Sequence, residues 1–390
     1  MDPVVIVSAF RTPLGAFNGK LKSLTTPELG ATAIKKVSER LGAKIDSVYM
    51  GCVLSAGLGQ SAARQAALGA DLDKSVHCVN VNKICGSGMA ALMLARNSIL
   101  AGEDEVAIAG GMESMTNAPY LLEKARFGYR FGDGTLKDHM LTDGLLDAYD
   151  KCVMGSFAED TAEEYSFSRK DQDEYTMNSF LKARRAMENG FIKNEIAKIL
   201  VKDKKGDILV DEDEIPFSVD TAKMKNLKPA FRANGTITAA SASSVSDGAA
   251  AVLLMKESKS AQWNVAPLAR IVAQSCFSLA PKQFATAPIG AIKSVLQKSN
   301  WSIEDVDLFE INEAFAVVPM VAAKELDIDS EKINIFGGAC ALGHPLGASG
   351  ARIVVTLLNA MKIKNARRGL ATLCVGGGEG VAMTFETIHA

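Results

Sequence analysis

The chain has the sequence VNVNKICGSG over residues 79–88, and the prediction of its fold class begins from this stretch. A short apolar strand (79–81) enters a turn whose glycines allow tight bending, and a helical pattern follows over 88–100. The next predicted strand, 106–109, ends in Gly-Gly-Met-Glu. A strand–turn–helix–strand unit of this kind is typical of an α/β fold.

The same unit occurs again near the C terminus. A predicted strand (333–335) leads to a glycine-rich turn (347–350), a helix (350–361) and a strand (370–375) that ends in Gly-Gly-Gly-Glu. Two units of matching order predict two similar α/β halves that pack together. An active site is expected where the halves meet.

Between the two units the character of the chain changes. Residues from about 120 to 228 are charged and turn-rich, with helical patterns over 158–165 and 169–189 and a hairpin-like turn at 204–207. This stretch predicts a mostly helical, solvent-facing insertion. The other predicted elements are strands over 4–7, 48–53, 76–81, 249–255, 269–273, 306–311 and 333–336, and helices over 26–41, 60–69, 288–298 and 314–326.

Composition limits the classes of function. The 390 residues are enough for two or three packed units, and 48% apolar with 23% charged residues is ordinary for a soluble globular protein. The net charge of −2 argues against nucleic acid as the main partner. The apolar runs in the sequence fall short of the ~18 residues of a membrane span, so no membrane partner is expected.

The cysteines and histidines indicate the compartment. Seven cysteines are scattered without a CxxC pair, and the four histidines are dispersed, which predicts no metal site and free thiols in a reducing compartment. The chain opens on a predicted strand (4–7) without a leader pattern. A cytoplasmic enzyme is expected, although a chain trimmed of a presequence would have the same pattern.

Three residues lie in settings that suit acyl or proton transfer. Cys85 stands in a glycine-framed turn before a helix, whose dipole favours the reactive thiolate. His344, held before Pro345 in a glycine-rich loop, suits general acid–base work. Cys374 ends an apolar strand before three glycines, whose N–H groups can stabilise an oxyanion. Each has a structural alternative: a small buried thiol, a hydrogen-bonded loop histidine, or a core cysteine before a tight turn.

Other positions have weaker assignments. Asn312 follows a predicted strand and is well placed as the N-cap of the next helix, a role compatible with a site role. Met154, Phe231 and Phe284 could line a pocket, although such residues are more often plain core. The glycine turns match neither GxGxxG nor a Walker pattern, so nucleotide-phosphate binding is not predicted.

Taken in order, five motifs resemble the thiolase family along nearly the whole chain. They are VNKICGSG (81–88), GGMES (110–114), NEAF (312–315), GHP (343–345) and CVGGG (374–378). Each is moderately specific alone, but five in order, together with the internal repeat, form a strong signal. The chain is most similar to the short-chain members that act on acetyl-CoA.

The resemblance implies an α/β fold of two similar five-layered α-β-α-β-α halves with an inserted loop domain. It divides the chain into an N-terminal half (1–119), a loop domain (120–244), a return to the N-terminal half (245–266) and a C-terminal half (267–390). It implies a reversible Claisen condensation of two acetyl-CoA to acetoacetyl-CoA plus CoA, in lipid metabolism. A dimer doubled to a homotetramer through the loop domain is expected.

The same resemblance implies a role for each catalytic residue. Cys85 would attack the acyl thioester and carry the acyl group. His344 would take the Cys85 proton and, with a water held by Asn312, form one oxyanion hole. Cys374 would remove a proton from the acetyl-CoA methyl group or protonate the leaving enolate. The backbone N–H groups of Cys85 and Gly376 would form the second oxyanion hole, and no metal or redox cofactor is required beyond the CoA thioester substrates.

Contacts with the substrate are implied less directly. Ser243 matches a position that contacts the pantetheine arm in similar enzymes, and Phe231 and Met154 match pocket-lining positions. Met154 and Phe284 would narrow the pocket, which favours short acyl chains.

The chain departs from the family pattern near CoA. Val153 stands where many relatives have histidine, and an arginine often found near Pro216 is missing. Lys223 or Lys225 is a candidate for the CoA phosphates, with a solvated lysine face as the alternative.

Three alternatives stay open. A ketoacyl or polyketide-type synthase pairs its cysteine with two histidines or with His and Asn, whereas here Cys374 supplies a base for deprotonation. A broad-range 3-ketoacyl-CoA thiolase is the runner-up for chain length. A non-catalytic CoA-binding or redox-sensing scaffold would use Cys85 and Cys374 as a regulatory pair.

Overall fold

The computed structural model describes residues 2–39, 44–202, 204 and 206–388. The strands are β1 (Val4–Arg11), β2 (Gly15–Ala16), β3 (Ser47–Gly51), β4 (His77–Val81), β5 (Val106–Ser114), β6 (Tyr120–Leu121), β7 (Lys137–Asp138), β8 (Ile199–Val201), β9 (Ile208–Val210), β10 (Ser246–Lys256), β11 (Ala269–Ser278), β12 (Leu308–Ile311), β13 (Arg368–Val375) and β14 (Glu379–Glu386). The helices are α1 (Thr26–Ser38), α2 (Ala62–Gly69), α3 (Ser87–Ala101), α4 (Met154–Glu164), α5 (Arg169–Glu188), α6 (Ile215–Ser218), α7 (Glu257–Gln262), α8 (Ala287–Ser299), α9 (Val317–Leu326), α10 (Ala339–Leu342) and α11 (Leu346–Lys364). Shorter helical turns lie at Leu141–Leu145 (a π-helical turn), Ile192–Asn194, Thr221–Asn226, Pro281–Gln283 and Ser330–Lys332.

The large sheet has the symmetry that the repeated unit predicted. Its strand order is β12-β13-β14-β11-β1-β10-β5-β3-β4, with β2 paired to β10. Outward from the centre, each half has two antiparallel pairings followed by a parallel one. The halves meet through the short pairing of β1 with β11, at Val5 with Arg270 and Ile6 with Ala269. The two units are therefore related halves of one sheet.

The predicted strand at 333–336 was wrong. Beyond β12, where symmetry would place a counterpart of β4, the chain makes only a single parallel bridge between Phe309 and Ile333. The Asn334 side chain takes the place of a backbone ladder, since its Oδ1 accepts from Ile311 N–H and its Nδ2 donates to Ile311 C=O, both at 2.8 Å. Asn334 itself has φ +46°, which ends any extended conformation.

Five layers build the molecule. Helices α3 and α11 pack against each other between the two halves of the sheet, α1 and α2 cover one outer face, and α8 and α9 cover the other. The three largest apolar cores lie between these layers, and the central one contains Leu92 of α3 and Val354 of α11. This α-β-α-β-α order is the predicted fold class.

Two glycines allow the central helices to approach closely. A Cβ at Gly88 would lie 2.7 Å from the backbone nitrogen of Ala351, and one at Gly350 would lie 2.4 Å from the α3 backbone. Neither position has room for a side chain. The N termini of α3 and α11 are therefore side by side, just after Cys85 and His344.

The central helices correct the expectation that every apolar run is shorter than a membrane span. Residues Ile84–Ala101 and Leu346–Lys364 are long and apolar enough, by length and composition alone, to cross a membrane. Both segments lie in the central layer, and α11 is almost wholly covered by its neighbours. A helix buried on most sides needs no polar face, so the composition of α11 reflects the core, and that of the half-buried α3 reflects the face that packs on α11.

The segment between β5 and β10 holds the hairpin β6–β7, helices α4 to α6 and the hairpin β8–β9. The turn predicted at 204–207 includes Lys205, which lies outside the described residues, as do the last residues of the helix predicted over 26–41. Apart from strand 333–336, the other predicted elements lie where expected; some are longer, such as α11 (predicted 350–361), and some are shorter, such as β12 (predicted 306–311) and α9 (predicted 314–326). The domain bounds 1–119, 120–244, 245–266 and 267–390 stay a prediction.

Candidate active site

Cys85 lies in a tight turn between β4 and α3. The turn is held by Ser87, whose Oγ accepts from Lys83 N–H at 2.8 Å and donates to Ile84 C=O at 2.6 Å. Ile84 has φ +46°, a costly conformation for a β-branched residue. A Cβ at Gly86 would lie 2.8 Å from Val375, so only glycine lets this turn contact the end of β13. The turn thus presents Cys85 to the opposite half of the fold.

The resting Cys85 is a thiol. Burial raises its pKa to about 12, while the backbone N–H groups of Gly376 and of Cys85 itself act in the opposite direction. Those two N–H groups favour negative charge at this point, which is what an oxyanion hole requires. A neighbouring base must therefore take the proton as the sulphur attacks.

Cys374 reaches the same place from the C-terminal half. It lies in the buried end of β13, and the turn into β14 uses Gly377 and Gly378 at φ +92° and +87°. Burial, and then the proximity of Cys85, raise the pKa of the Cys374 thiol well above its usual range. Two thiols with raised pKa values thus lie next to each other, one from each half.

His344 follows Gly343, which has φ +104° and packs against Ser246 with no space for a side chain. Its Nδ1 is 2.6 Å from Ser349 Oγ, which lies 2.9 Å from Pro345 C=O. Both hydrogen bonds form when Nδ1 carries the proton and donates to Ser349, and Ser349 donates to the Pro345 carbonyl. Nε2 is then free to accept a proton. Nε2 is buried and has no hydrogen-bond partner among the described residues.

The imidazole is neutral over the physiological range. Burial and, second to it, the nearby positive charge of Arg352 together lower the pKa of His344 to about 3. A neutral imidazole beside a neutral thiol is a resting pair that becomes charged only during reaction.

These groups meet in one apolar pocket of about 260 Å³. Cys85, Cys374, His344 and Gly376 all line it. The predicted substrate-contact residues that line it are Ser243, Phe231, Met154 and Phe284. The pocket lies where the two halves and the loop segment meet, as predicted from the repeated unit.

Three predicted residues do not line this pocket, namely Asn312, Lys223 and the exposed Lys225. Asn312 is buried behind His344, with its Nδ2 3.5 Å from His344 Nδ1. It is not the N-cap of α9, which begins only at Val317; instead its N–H donates to Thr372 C=O and extends the β12–β13 pairing. Lys223 is exposed, with Nζ 3.3 Å from Asp220, and its assignment to CoA stays a prediction.

Several residues of the pocket wall were missed. The π-helical turn Leu141–Leu145 closes one side, and Gly144 lets it pack on Leu346, since a Cβ there would lie 2.8 Å from Leu346 Cδ1. Phe315 forms another wall, with ring centroids 5.7 Å from Phe231 and 6.0 Å from Phe284. The NEAF motif contained Phe315, but no pattern in the sequence singles out the turn.

Glu113, in the GGMES motif (110–114), is a buried carboxyl group beside the site for which the sequence predicted no role. It is fully buried and accepts from the N–H groups of Val53, Leu54 and Gly347 at 2.8–3.1 Å, and burial raises its pKa to about 7. It thereby connects the two halves beside the site. A carboxylate that ends a wholly apolar strand was the signal that could have revealed it.

Comparison with known proteins agrees with this geometry. Residues 4–258 match the thiolase N-terminal domain and residues 265–387 the thiolase C-terminal domain. The acetyl-CoA acetyltransferase of Escherichia coli (strain K12) is 47% identical over 396 residues, covering 100% of both chains, and that of Cupriavidus necator is 46% identical over 99% of this chain and 100% of its own.

The crystal structure of the Bacillus anthracis acetyl-CoA acetyltransferase superposes with a TM-score of 0.97 at 39% identity, covering 100% of this chain and 99% of that one. Sequence and fold agree along the full length, which confirms the resemblance predicted from the five motifs. The chain belongs to the thiolase family.

Proposed function

We propose that the protein is an acetyl-CoA acetyltransferase, which condenses two acetyl-CoA into acetoacetyl-CoA plus CoA and runs the reverse cleavage. The observation that carries this function is the convergence of Cys85, His344, Cys374 and the Gly376 N–H in one small apolar pocket. One cysteine can carry the acyl group while the other transfers protons. The names of full-length relatives at 44–47% identity support the same activity.

The first half-reaction transfers the acetyl group. Cys85 Sγ attacks the thioester carbonyl as His344 Nε2 takes its proton, and the N–H groups of Cys85 and Gly376 stabilise the tetrahedral oxyanion. When the C–S bond to CoA breaks, the thiol of Cys374 donates its proton to the departing thiolate. The products are acetyl-Cys85, protonated His344 and the Cys374 thiolate.

The second half-reaction forms the carbon–carbon bond. The Cys374 thiolate removes a proton from the methyl group of a second acetyl-CoA, and protonated His344, with a water held by Asn312, stabilises the enolate oxygen. The enolate carbon attacks acetyl-Cys85, and the Cys85 sulphur leaves and recovers its proton from His344. Protons and charges balance over the cycle, and every transfer uses groups of this chain, which supports a reaction without metal or redox cofactor.

Pocket size supports a short acyl chain. Its volume of about 260 Å³ is at or below the ~300–1,000 Å³ of common ligand pockets. Leu141, Leu145, Met154 and Phe284 line it with apolar side chains, which supports a preference for a short acyl group. A broad-range 3-ketoacyl-CoA thiolase would need a wider cavity.

Thiolysis of acetoacetyl-CoA by CoA tests the function, followed as loss of the acetoacetyl chromophore. We expect rapid turnover, and at least about tenfold lower kcat/KM for 3-ketohexanoyl-CoA, the order that added methylenes cost in a closed pocket. Equal rates would favour the broad-range enzyme. CoA binding without turnover would favour a synthase or a non-catalytic scaffold.

We also propose a cytoplasmic homotetramer that functions in lipid metabolism. Strand β4 is a free edge of the large sheet with Val79 exposed, and an unpaired edge invites pairing with a second copy. The segment around β6 and β7 exposes Phe127 and Phe131 almost completely, which supports a second interface. All seven cysteines are free, as expected in a reducing compartment.

Replacing residues 122–136 by a short Gly-Ser linker should convert tetramers to dimers, because it removes the exposed aromatic surface but leaves β4 intact. Multi-angle light scattering would measure the mass. A matched control is Leu209→Ser in the other exposed hairpin, β8–β9, which should leave the mass unchanged. A tetramer that survives the linker would contradict the assigned interface.

A further inference from the structure

Arg352 is a buried cation behind the catalytic histidine. It lies on α11, two turns after His344, with its side chain 1% exposed. Its Nη1 is 3.5 Å from Glu310 Oε2 and its Nη2 is 3.4 Å from Asn312 Oδ1. Burying a guanidinium is costly, and this one is incompletely paired, since its Nε has no partner among the described residues. A side chain held at that cost calls for a role other than packing.

The hydrogen-bonding chemistry of the guanidinium determines the orientation of the Asn312 side-chain carboxamide. Arginine has only donors, so the carboxamide oxygen of Asn312 must face it and the NH2 group must face the other way. That other side is His344, whose Nδ1 is 3.5 Å from Asn312 Nδ2. With the amide reversed, the NH2 group would face the N–H donors of the guanidinium in a buried site. Because the Nδ1 proton of His344 is directed to Ser349, the 3.5 Å between Asn312 Nδ2 and His344 Nδ1 is a contact and not a hydrogen bond, which leaves the NH2 group free to donate to a water.

We propose that Arg352 is a positioning residue for the acyl-transfer reaction, because its guanidinium fixes the carboxamide of Asn312 with the NH2 group directed towards His344. The inference rests on the function proposed above, in which Asn312 holds the water that assists the enolate. Arg352 itself does not line the pocket and contacts neither acyl group nor CoA in this scheme.

The charge of Arg352 has a second consequence at His344. The groups that face the imidazole are Cys85, Cys374 and Arg352, and those that face Arg352 are Glu310, Glu195, Glu313 and Arg11. Burial raises the pKa of Glu310 to about 8, so Glu310 only partly neutralises Arg352 at neutral pH. The remaining positive charge disfavours protonation of the resting His344.

Arg352→Met tests both consequences. We expect kcat for acetoacetyl-CoA thiolysis to fall about 10²-fold, the order that one preorganised oxyanion donor contributes. KM should change less than about threefold, since no substrate contact is lost. Without the cation the pKa of His344 rises, so the acid limb of the kcat/KM profile should move to higher pH. A purely structural role would lower activity without moving that limb.

A double-mutant cycle shows whether Arg352 acts through Asn312. Asn312→Ala should cost about 10²-fold in kcat, and adding Arg352→Met should cost no more than about threefold further, whereas independent residues would multiply to about 10⁴-fold. A product near that value would overturn the proposal, as would an Arg352→Met enzyme with kcat within about threefold of the wild type.

Arg352→Lys covers the case in which the methionine variant does not fold. Lysine keeps the charge but cannot contact Glu310 and Asn312 together. We expect about tenfold lower kcat with an unmoved acid limb, and a wild-type kcat would overturn the proposal. The matched control is Thr356→Val, one turn along α11, which removes a buried hydrogen bond to Glu195 and should lower Tm with kcat within about twofold. If the wild type itself lacks thiolysis, the proposed function fails first.

Discussion

Cys85→Ser is expected to lower kcat for acetoacetyl-CoA thiolysis by at least about 10⁴-fold, the order seen when a nucleophile is removed from a preorganised site. The reason lies in the base. With its pKa lowered to about 3, His344 can take a proton only from a group that is itself attacking, and an alcohol is a weaker acid and a poorer nucleophile than a thiol in the same place. The serine would stay protonated and inert.

The measurement combines thiolysis kinetics with mass spectrometry of enzyme incubated with acetyl-CoA. Wild-type protein should gain one acetyl group on the peptide that contains Cys85, and the serine variant should not. Cys276→Ser is the matched control, since Cys276 is exposed and lies outside the pocket, and it should retain both acetylation and turnover within about twofold. Turnover that persists in Cys85→Ser would contradict the assigned nucleophile.

Much of the fold was predictable because the repeated unit is long and its parts have distinct patterns. The order glycine turn, helix, strand occurs at 86–113 and 347–379, and the strand pairings of the two halves of the sheet follow the same order outward from the centre. The glycines were informative for a physical reason. Gly86, Gly88 and Gly350 lie where a Cβ would collide with the opposite half, so they mark where the halves touch.

The strand wrongly predicted at 333–336 shows a limit of prediction from hydrophobic patterns. Its residues have a strand-like composition, but Asn334 uses its side chain to bond both backbone groups of Ile311. A carboxamide can imitate a peptide group, and nothing in the hydrophobic pattern tells which of the two makes the pair. The two halves therefore differ at their outermost strand: the backbone edge of β4 is unpaired among the described residues, whereas the edge of β12 is partly covered by Ile333 and Asn334.

The residues of the candidate site also fall into those that the sequence predicted and those that it did not. The sequence motifs predicted Cys85, His344 and Cys374, because these reactive residue types lie beside glycine-rich turns. The π-helical turn Leu141–Leu145 and Arg352 were missed, since their roles depend on contacts between distant segments. Arg352 lies in a helix whose sequence gives no sign that the position is buried.

Cys374→Ala is expected to separate the two half-reactions, which no other substitution in the pocket should do. Without Cys374, no group is placed to remove the methyl proton of acetyl-CoA, so condensation should fall by at least about 10³-fold, within the range for loss of a positioned base. Cys85, His344 and the Gly376 N–H remain, so acetyl-Cys85 should still form.

Exchange of labelled CoA into acetyl-CoA measures acyl transfer alone, and it should fall only about tenfold, because a CoA thiolate can leave and take its proton from solvent. Cys85→Ser, by contrast, should abolish both exchange and condensation. Equal losses of both reactions in Cys374→Ala would mean that Cys374 is needed as much for acyl transfer, or for structure, as for deprotonation of the methyl group. Condensation at a near wild-type rate would mean that another group is the base. A loss of condensation that far exceeds the loss of exchange would place the base on β13, opposite the nucleophile that the other half supplies.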